Sequence, residues 1–401
     1  MSEWKKYKLS ELYEMSSGIS STKDQAGHGS PFLSFSIVFN NYFLPDSLID
    51  LMDTTDGEKQ KYSINEGDIF LTRTSETVDE LAMSSVALKD YPEASFSGFL
   101  KRLRPVDKTI VYPKFMAFYL RSPLFRRTII NNTVMTLRAS FNEAMFSYLE
   151  IMIPDFDTQK KIGDFLYSLE KKKQINNQIN QELEAMAKTL YDYWFVQFDF
   201  PDQNGKPYKS SGGKMVYNPE LKREIPEGWG VESVGNLLDK VTKAEKIDNN
   251  SIEFIGEIPV IDQSQKYIAG FTNNENALLQ PQNGHVIFGD HTRVVKYINF
   301  DYARGADGTQ VLISNNENIS NVLLYHMIED FDLSNYGYAR HFKFLKEKII
   351  IVPDKEVSSK FETQANVIYE KIKNNIFENQ ELTQLRDWLL PMLMNGQMKV
   401  E

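Results

Sequence analysis

Four arginines stand where they could read guanine: Arg73, Arg138, Arg293 and Arg340. A guanidinium can place two donors on guanine O6 and N7, the most specific single contact in the major groove. Arg73 and Arg293 each follow a glycine-started apolar run, Gly67-Asp68-Ile69-Phe70 and Gly284-His285-Val286-Ile287-Phe288. Arg138 and Arg340 each precede an apolar run that ends in Pro154 or Pro353. For each, base contact, phosphate contact and a surface ion pair remain open. Lys101, Arg102, Arg104, Lys296, Lys343 and Lys346 suit phosphate neutralisation, which positions a protein on the duplex without reading sequence; Arg304 is a further candidate for DNA binding. Tyr338 and His341 could stack or bond at a groove. Asp307, between Gly305-Ala306 and Gly308-Thr309, suits a turn, or an acceptor for cytosine N4.

The net charge of -10 argues superficially against a nucleic-acid partner, but binding depends on where charge lies. From Lys101 to Arg138 there are nine bases and one acid, a local charge of +8 that leaves -18 elsewhere. The acids gather in other places, as at Asp46, Asp50, Asp53, Asp56 and Glu58.

Catalysis within the chain is not expected. There is no cysteine, which excludes disulfides, thiolate metal sites and thiol nucleophiles together. His285, Asp290 and His291 cluster, but no third ligand has metal spacing, so neither metal nor cofactor is expected. No phosphate-binding glycine loop is present. Pro154-Asp155 followed by Glu170-Lys171-Lys172 has a nuclease-like order, but the second piece falls in a predicted helix. With no signal-like start and no apolar run of membrane length, a cytoplasmic protein with no membrane contact is expected.

The elements that must hold these residues come in duplicate. Pro154-Asp155 and Pro353-Asp354 lie 199 positions apart, as do Asn180-Gln181-Glu182-Leu183 and Asn379-Gln380-Glu381-Leu382. Trp4, Leu9 and Leu12 match Trp229, Val234 and Leu237 at an offset of 225. Ordered matches of this kind mark an internal repeat. Each half has a variable globular part followed by a long helix. The globular parts read as short strands and turns, with helices over 113–120 and 321–328. After Pro154 the apolar residues recur mostly every three or four positions, as through Ile175, Ile179, Leu183, Met186, Leu190 and Trp194. The second copy gives Ile372, Ile376, Leu382 and Leu389. Roughly 40 residues at about 1.5 Å each reach about 60 Å. A narrow stripe of that length needs a partner helix, and an antiparallel pair provides one. Asn176-Asn177 and Asn374-Asn375 would fix its register. Phe195, Phe198 and Phe200 lie off the stripe and could face another protein.

The expected fold is therefore α+β: two mixed α/β domains in pseudo-two-fold tandem, joined by two long antiparallel coiled-coil helices. The boundaries are 1–155 for the first domain, 156–200 for its helix, 201–228 for a turn-rich connector, 229–354 for the second domain and 355–401 for its helix.

The order of these parts resembles the specificity subunits of type I restriction–modification systems, along essentially the whole chain. The resemblance rests on Trp194-Phe195-Val196 running into the connector and on Ile225-Pro226-Glu227-Gly228-Trp229. It rests also on Gly289-Asp290-His291-Thr292-Arg293, Gly305-Ala306-Asp307-Gly308-Thr309 and Gly337-Tyr338-Ala339-Arg340-His341-Phe342-Lys343. It implies two target recognition domains, each reading half of a split, asymmetric site on double-stranded DNA. The helices would hold their spacing and dock two methyltransferase subunits, through which restriction subunits join. Catalysis would belong to those partners. Two other readings stay open at this point: a protein-interaction scaffold without DNA readout, and a self-sufficient nuclease.

Overall fold

A computed structural model describes residues 4–133, 139–239, 241, 244–306, 308–334, 337 and 340–400. The chain is α+β and divides into two compact units, Met1–Gln174 with Asn379–Glu401, and Ile175–Glu378. Each unit thus takes one globular half and a part of both long helices.

Both units are closed by the same pairing. Lys5–Lys8 runs antiparallel to Glu150–Ile153, and Gly230–Ser233 to Ile349–Val352. In each, one more backbone bond extends the ladder. Leu9 N donates to Leu149 O (2.9 Å), and Val234 N donates to Lys348 O (2.8 Å). These residues stand 225 and 199 positions apart, the two offsets of the repeat.

Inside the first unit an antiparallel sheet runs in the order Tyr13–Ser17, Leu100–Pro105, Ile69–Thr72, Ser84–Val86. The second unit has the three strands Val295–Ile298, His285–Gly289 and Thr309–Leu312, again antiparallel. Beside them Ile258–Ile261 pairs in parallel with Tyr302–Gly305. Helices cover these sheets where proline sets the first turn, at Pro113–Tyr119 and Pro123–Asn132. The second of these gave no separate signal in the sequence. In the second unit the covering helix is Asn321–Ile328, capped by the Ser320 hydroxyl.

The long helices are Phe156–Tyr191 and Lys355–Met394. The Asp155 carboxylate caps the first, accepting from Thr158 N and Thr158 Oγ1 (both 2.9 Å). Pro-Asp is therefore a helix start, and Glu170-Lys171-Lys172 lies on the helix, which removes the nuclease-like reading. Gly163 allows this helix close approach, because a Cβ there would lie 2.6 Å from Phe115 N. Within each unit the helical segments run antiparallel: Glu170 meets Arg386 (3.0 Å) in the first. In the second, Asn176 donates to Glu378 (2.7 Å) and Asn375 to Asn180 (2.8 Å). Asn176 and Asn375 are buried, so a shift of register would strand their amides without partners.

The first helix ends in a π-helical turn, Asp192–Val196, not at Phe200. Phe195, Phe198 and Phe200 are buried around Trp229, with ring centroids 5.8, 5.7 and 5.0 Å away. They form the core of the second unit rather than an outward face. The connector contains a hairpin, Met215–Asn218 with Arg223–Pro226. No helix among the described residues is long and apolar enough to cross a membrane.

Candidate nucleic-acid interface

In the second unit, four stretches of chain far apart in sequence meet at the end of strand His285–Gly289. Asp290 is the hub. Its backbone N–H donates to Gly308 O (2.7 Å). Its carbonyl accepts from the backbone N–H of His341 (3.0 Å) and from His341 Nδ1 (2.9 Å). Its carboxylate accepts from Phe342 N (2.8 Å) at the start of helix His341–Lys346. That is a favourable place for a negative charge, facing the first N–H groups of a helix. The fourth stretch is the loop after Ile258–Ile261. There the Gln263 side-chain oxygen accepts from His291 N (3.1 Å), and its carbonyl accepts from Thr292 Oγ1 (2.6 Å). Arg304 joins by register, opposite Ile261.

This arrangement gathers Arg293, Arg340 and Lys343, all exposed, on one cluster of loops. Arg304 is half-buried beside them. Arg138, Asp307 and Tyr338 lie outside the described residues.

The first unit repeats the construction in simpler form. The Arg73 carbonyl accepts from Phe141 N (2.9 Å), just ahead of helix Glu143–Tyr148. Its N–H donates to Phe99 O (2.9 Å). Thr74–Ser75 pairs with Ala139–Ser140. Arg73 is therefore the structural counterpart of Asp290, at the same 217-position offset as Gly67 and Gly284, and Arg293 stands three residues further on. Both glycines have positive φ (92° and 74°), the sharp turn that starts each strand. Arg73 is exposed, and Phe99 beside it is 67% exposed.

Residues 1–185 match the family model for the type I restriction modification DNA specificity domain. The type I restriction enzyme HindI specificity subunit of Haemophilus influenzae is 24% identical, over 99% of this chain and 100% of that one. Along nearly its whole length the chain is therefore similar to type I restriction enzyme specificity subunits. The MjaIX specificity subunit of Methanocaldococcus jannaschii is also 24% identical, over 63% of this chain; the chain spans 61% of the length of that relative. The fold agrees with a solved type I S subunit from M. genitalium: TM-score 0.57, 13% identity, 98% of this chain and 96% of that one.

Several bases singled out by charge are internal. Lys101 and Arg102 are buried, because their strand, Leu100–Pro105, is central in its sheet. Lys101 donates to Ser17 Oγ (2.9 Å) and Glu143 (2.8 Å). Arg102 donates to Ser63 O (2.6 Å), and burial pushes its pKa down. Arg104 makes a two-pronged contact with the buried Asp68 carboxylate (2.8 and 2.6 Å). Arg121 and Arg126 point into backbone carbonyls, those of Ser84 and Val38 for one and Leu81 and Asp79 for the other. Burial holds Arg121 down to about 10. Lys114 pairs with Asp164 (2.8 Å). Most of the +8 tract therefore holds the first unit together and does not form a basic surface. Lys296 is likewise buried, donating to Asp262 O (2.8 Å) and Lys266 O (2.5 Å). His341 is buried in the Asp290 clamp.

Gln263, Thr292, Asp290 and Phe99 were not singled out from sequence as parts of a candidate interface. The Gly289–Arg293 and Gly305–Thr309 motifs pointed to the loops, but Gln263 lies 28 residues from His291 and carries no motif of its own.

On the helices, Leu183, Leu190, Trp194, Phe195, Ile372 and Ile376 pack in the second unit and Leu389 in the first. Leu382 is half-buried, while Ile175 and Ile179 are 40% and 38% exposed. Among the described residues no group of His, Asp and Glu could hold a metal ion.

Proposed function

We propose that the chain is the non-catalytic DNA-reading subunit of a type I restriction–modification complex, each unit reading one half of an asymmetric, bipartite site. The domain limits are those set out from sequence, 1–155 and 229–354, with the connector at 201–228. The observation that carries this reading is the repeated clamp. In both units a glycine-started strand is tied at its end to the start of a short helix, and exposed arginines stand at the tie. Arg73 serves in the first unit; Arg293, Arg340 and Lys343 serve in the second, with Arg304 at the edge. The clamp is alike and the side chains differ, which suits a target whose halves differ.

Exposed apolar residues on the helices, Ile175, Ile179, Met186 and Val367, support docking of methyltransferase subunits, two by the symmetry of the repeat. Restriction subunits would join through them. S-adenosylmethionine and ATP chemistry belong to those partners. Such a complex works on DNA in the cytoplasm.

The test is to co-express the chain with its methyltransferase subunit and map methylated adenines in the host genome. A split motif with two unlike halves is expected; random placement contradicts the proposal. DNA affinity of the complex should fall steeply with salt, since bound arginine and lysine displace counterions from phosphate. Salt-insensitive or absent binding would favour the scaffold alternative.

A further inference from the structure

Arg293 holds a backbone φ of 64°, the left-handed region that a branched or long side chain seldom occupies. Such a conformation persists where neighbouring contacts fix it. Here they do. Arg293 N donates to Gly289 O (2.7 Å), and Asp290 N to Gly308 O (2.7 Å). Two further bonds go to Gln263, from His291 N and Thr292 Oγ1. The two residues before Arg293 are thus each anchored to one glutamine.

The side-chain amide of Gln263 is itself confined. Gly308, with φ of 75°, lies directly against it. A Cβ on Gly308 would come within 2.7 Å of Gln263 Nε2, 2.8 Å of its Oε1 and 2.7 Å of His291 Cδ2. The space a Gly308 Cβ would need is thus already taken by the Gln263 amide and the His291 imidazole. The His291 N–H also decides which end of the amide faces the loop, since only the oxygen can accept.

We propose that Gln263 is a positioning residue for Arg293, fixing the approach of its guanidinium and hence the base that the second unit accepts at one position. The inference rests on the DNA-reading role proposed above. Two parallel donors must meet O6 and N7 together, so a small displacement of the loop disrupts the pair without removing the charge.

The test uses the full chain with its methyltransferase subunit and compares methylated motifs. Arg293→Ala identifies the position that Arg293 reads. Gln263→Leu, which keeps bulk but loses the acceptor, and Gly308→Ala, which drives a methyl into the amide, are expected to relax that same position at least tenfold. The rest of the second half and all of the first should stay intact. Gln263→Glu, which keeps an acceptor for His291 N, is expected to retain the base choice. The proposal is overturned if Gln263→Leu leaves the motif unchanged, if it relaxes a different position from Arg293→Ala, or if it lowers methylation evenly at all sites. A wild-type complex with no sequence preference would remove the DNA-reading role and this inference together.

Discussion

The carbonyl of Asp290 accepts two hydrogen bonds from His341, one from the backbone N–H at 3.0 Å and one from Nδ1 at 2.9 Å. A carbonyl can only accept, so Nδ1 carries a proton. This double tie fastens the loop of Arg293 to the helix behind Arg340. His341→Ala should cost about 1–3 kcal/mol, the usual penalty when a buried acceptor loses a partner. It should also relax only the second half of the DNA motif. Thermal unfolding and methylation mapping check the two effects; a change in the first half of the motif would contradict the assignment.

Arg104 and Arg73 count alike in the net charge but should behave oppositely, since Arg104 is half-buried and Arg73 exposed. Arg104→Ala would leave the Asp68 carboxylate, fully buried, without its guanidinium. Breaking a buried pair in this way costs about 3–5 kcal/mol. Arg73→Ala should leave stability within about 0.5 kcal/mol, as for other exposed positions, and weaken DNA binding by the complex. Urea unfolding and salt-dependent binding of both variants separate a structural base from a DNA-facing one.

Acid should weaken the second unit through His285. Burial pushes its imidazole down from 6.5 to about 4, with Nδ1 3.1 Å from the Tyr302 hydroxyl. The unfolded chain therefore takes up this proton at higher pH than the folded one. The contribution is complete above pH 6.5 and is lost as pH falls toward 4, up to about 3 kcal/mol. Lys296 has the same sign in a different window. Burial lowers it from 10.5 to about 8, so stability rises as pH climbs between these values. Denaturant midpoints at pH 7 and pH 5 should differ less in His285→Phe than in the wild type; equal slopes would count against this account.

The ends of the long helices predict how a half-chain behaves. Leu190, Tyr191, Trp194 and Phe195 pack into the second unit, and Leu389, Leu390, Leu393 and Met394 pack into the first. The two sets stand 199 positions apart, at matched places in the repeat. A fragment ending near Phe200 lacks the helix end that completes its own unit. It should dimerise, each copy lending its helix end to the other, and read a symmetric site. In the full chain, Leu393→Ala should cost about 2–5 kcal/mol. Sedimentation of the fragment checks the first expectation; a stable monomer would refute it.

The repeat, the long helices and the glycine-started strands were legible because each is periodic or punctuated along the chain. Proline and glycine fix backbone angles locally, and a helix face shows in the spacing of its apolar residues. Burial of charge was not legible. Lys101, Arg102 and Arg104 look like an exposed basic run until Leu100–Pro105 is found between two neighbouring strands. Their partners Glu143, Ser63 and Asp68 lie 36 to 42 residues away. The burial of Phe198 and Phe200 was hidden for the same reason, since Trp229 approaches only after the connector has folded back. At the proposed interface, Arg73, Arg293, Arg340 and Lys343 were identifiable by chemistry. Asp290 and Gln263, which hold the second-unit loop cluster together, act through contacts between distant loops.

In the function proposed above, one chain reads two different half-sites through two separate clusters. The direct measurement is the genome-wide methylation motif of the assembled complex for wild type, Arg73→Ala and Arg293→Ala. A split asymmetric motif is expected, with the first variant altering one half only and the second altering only the other. A palindromic or absent motif, or both variants altering the same half, would contradict it.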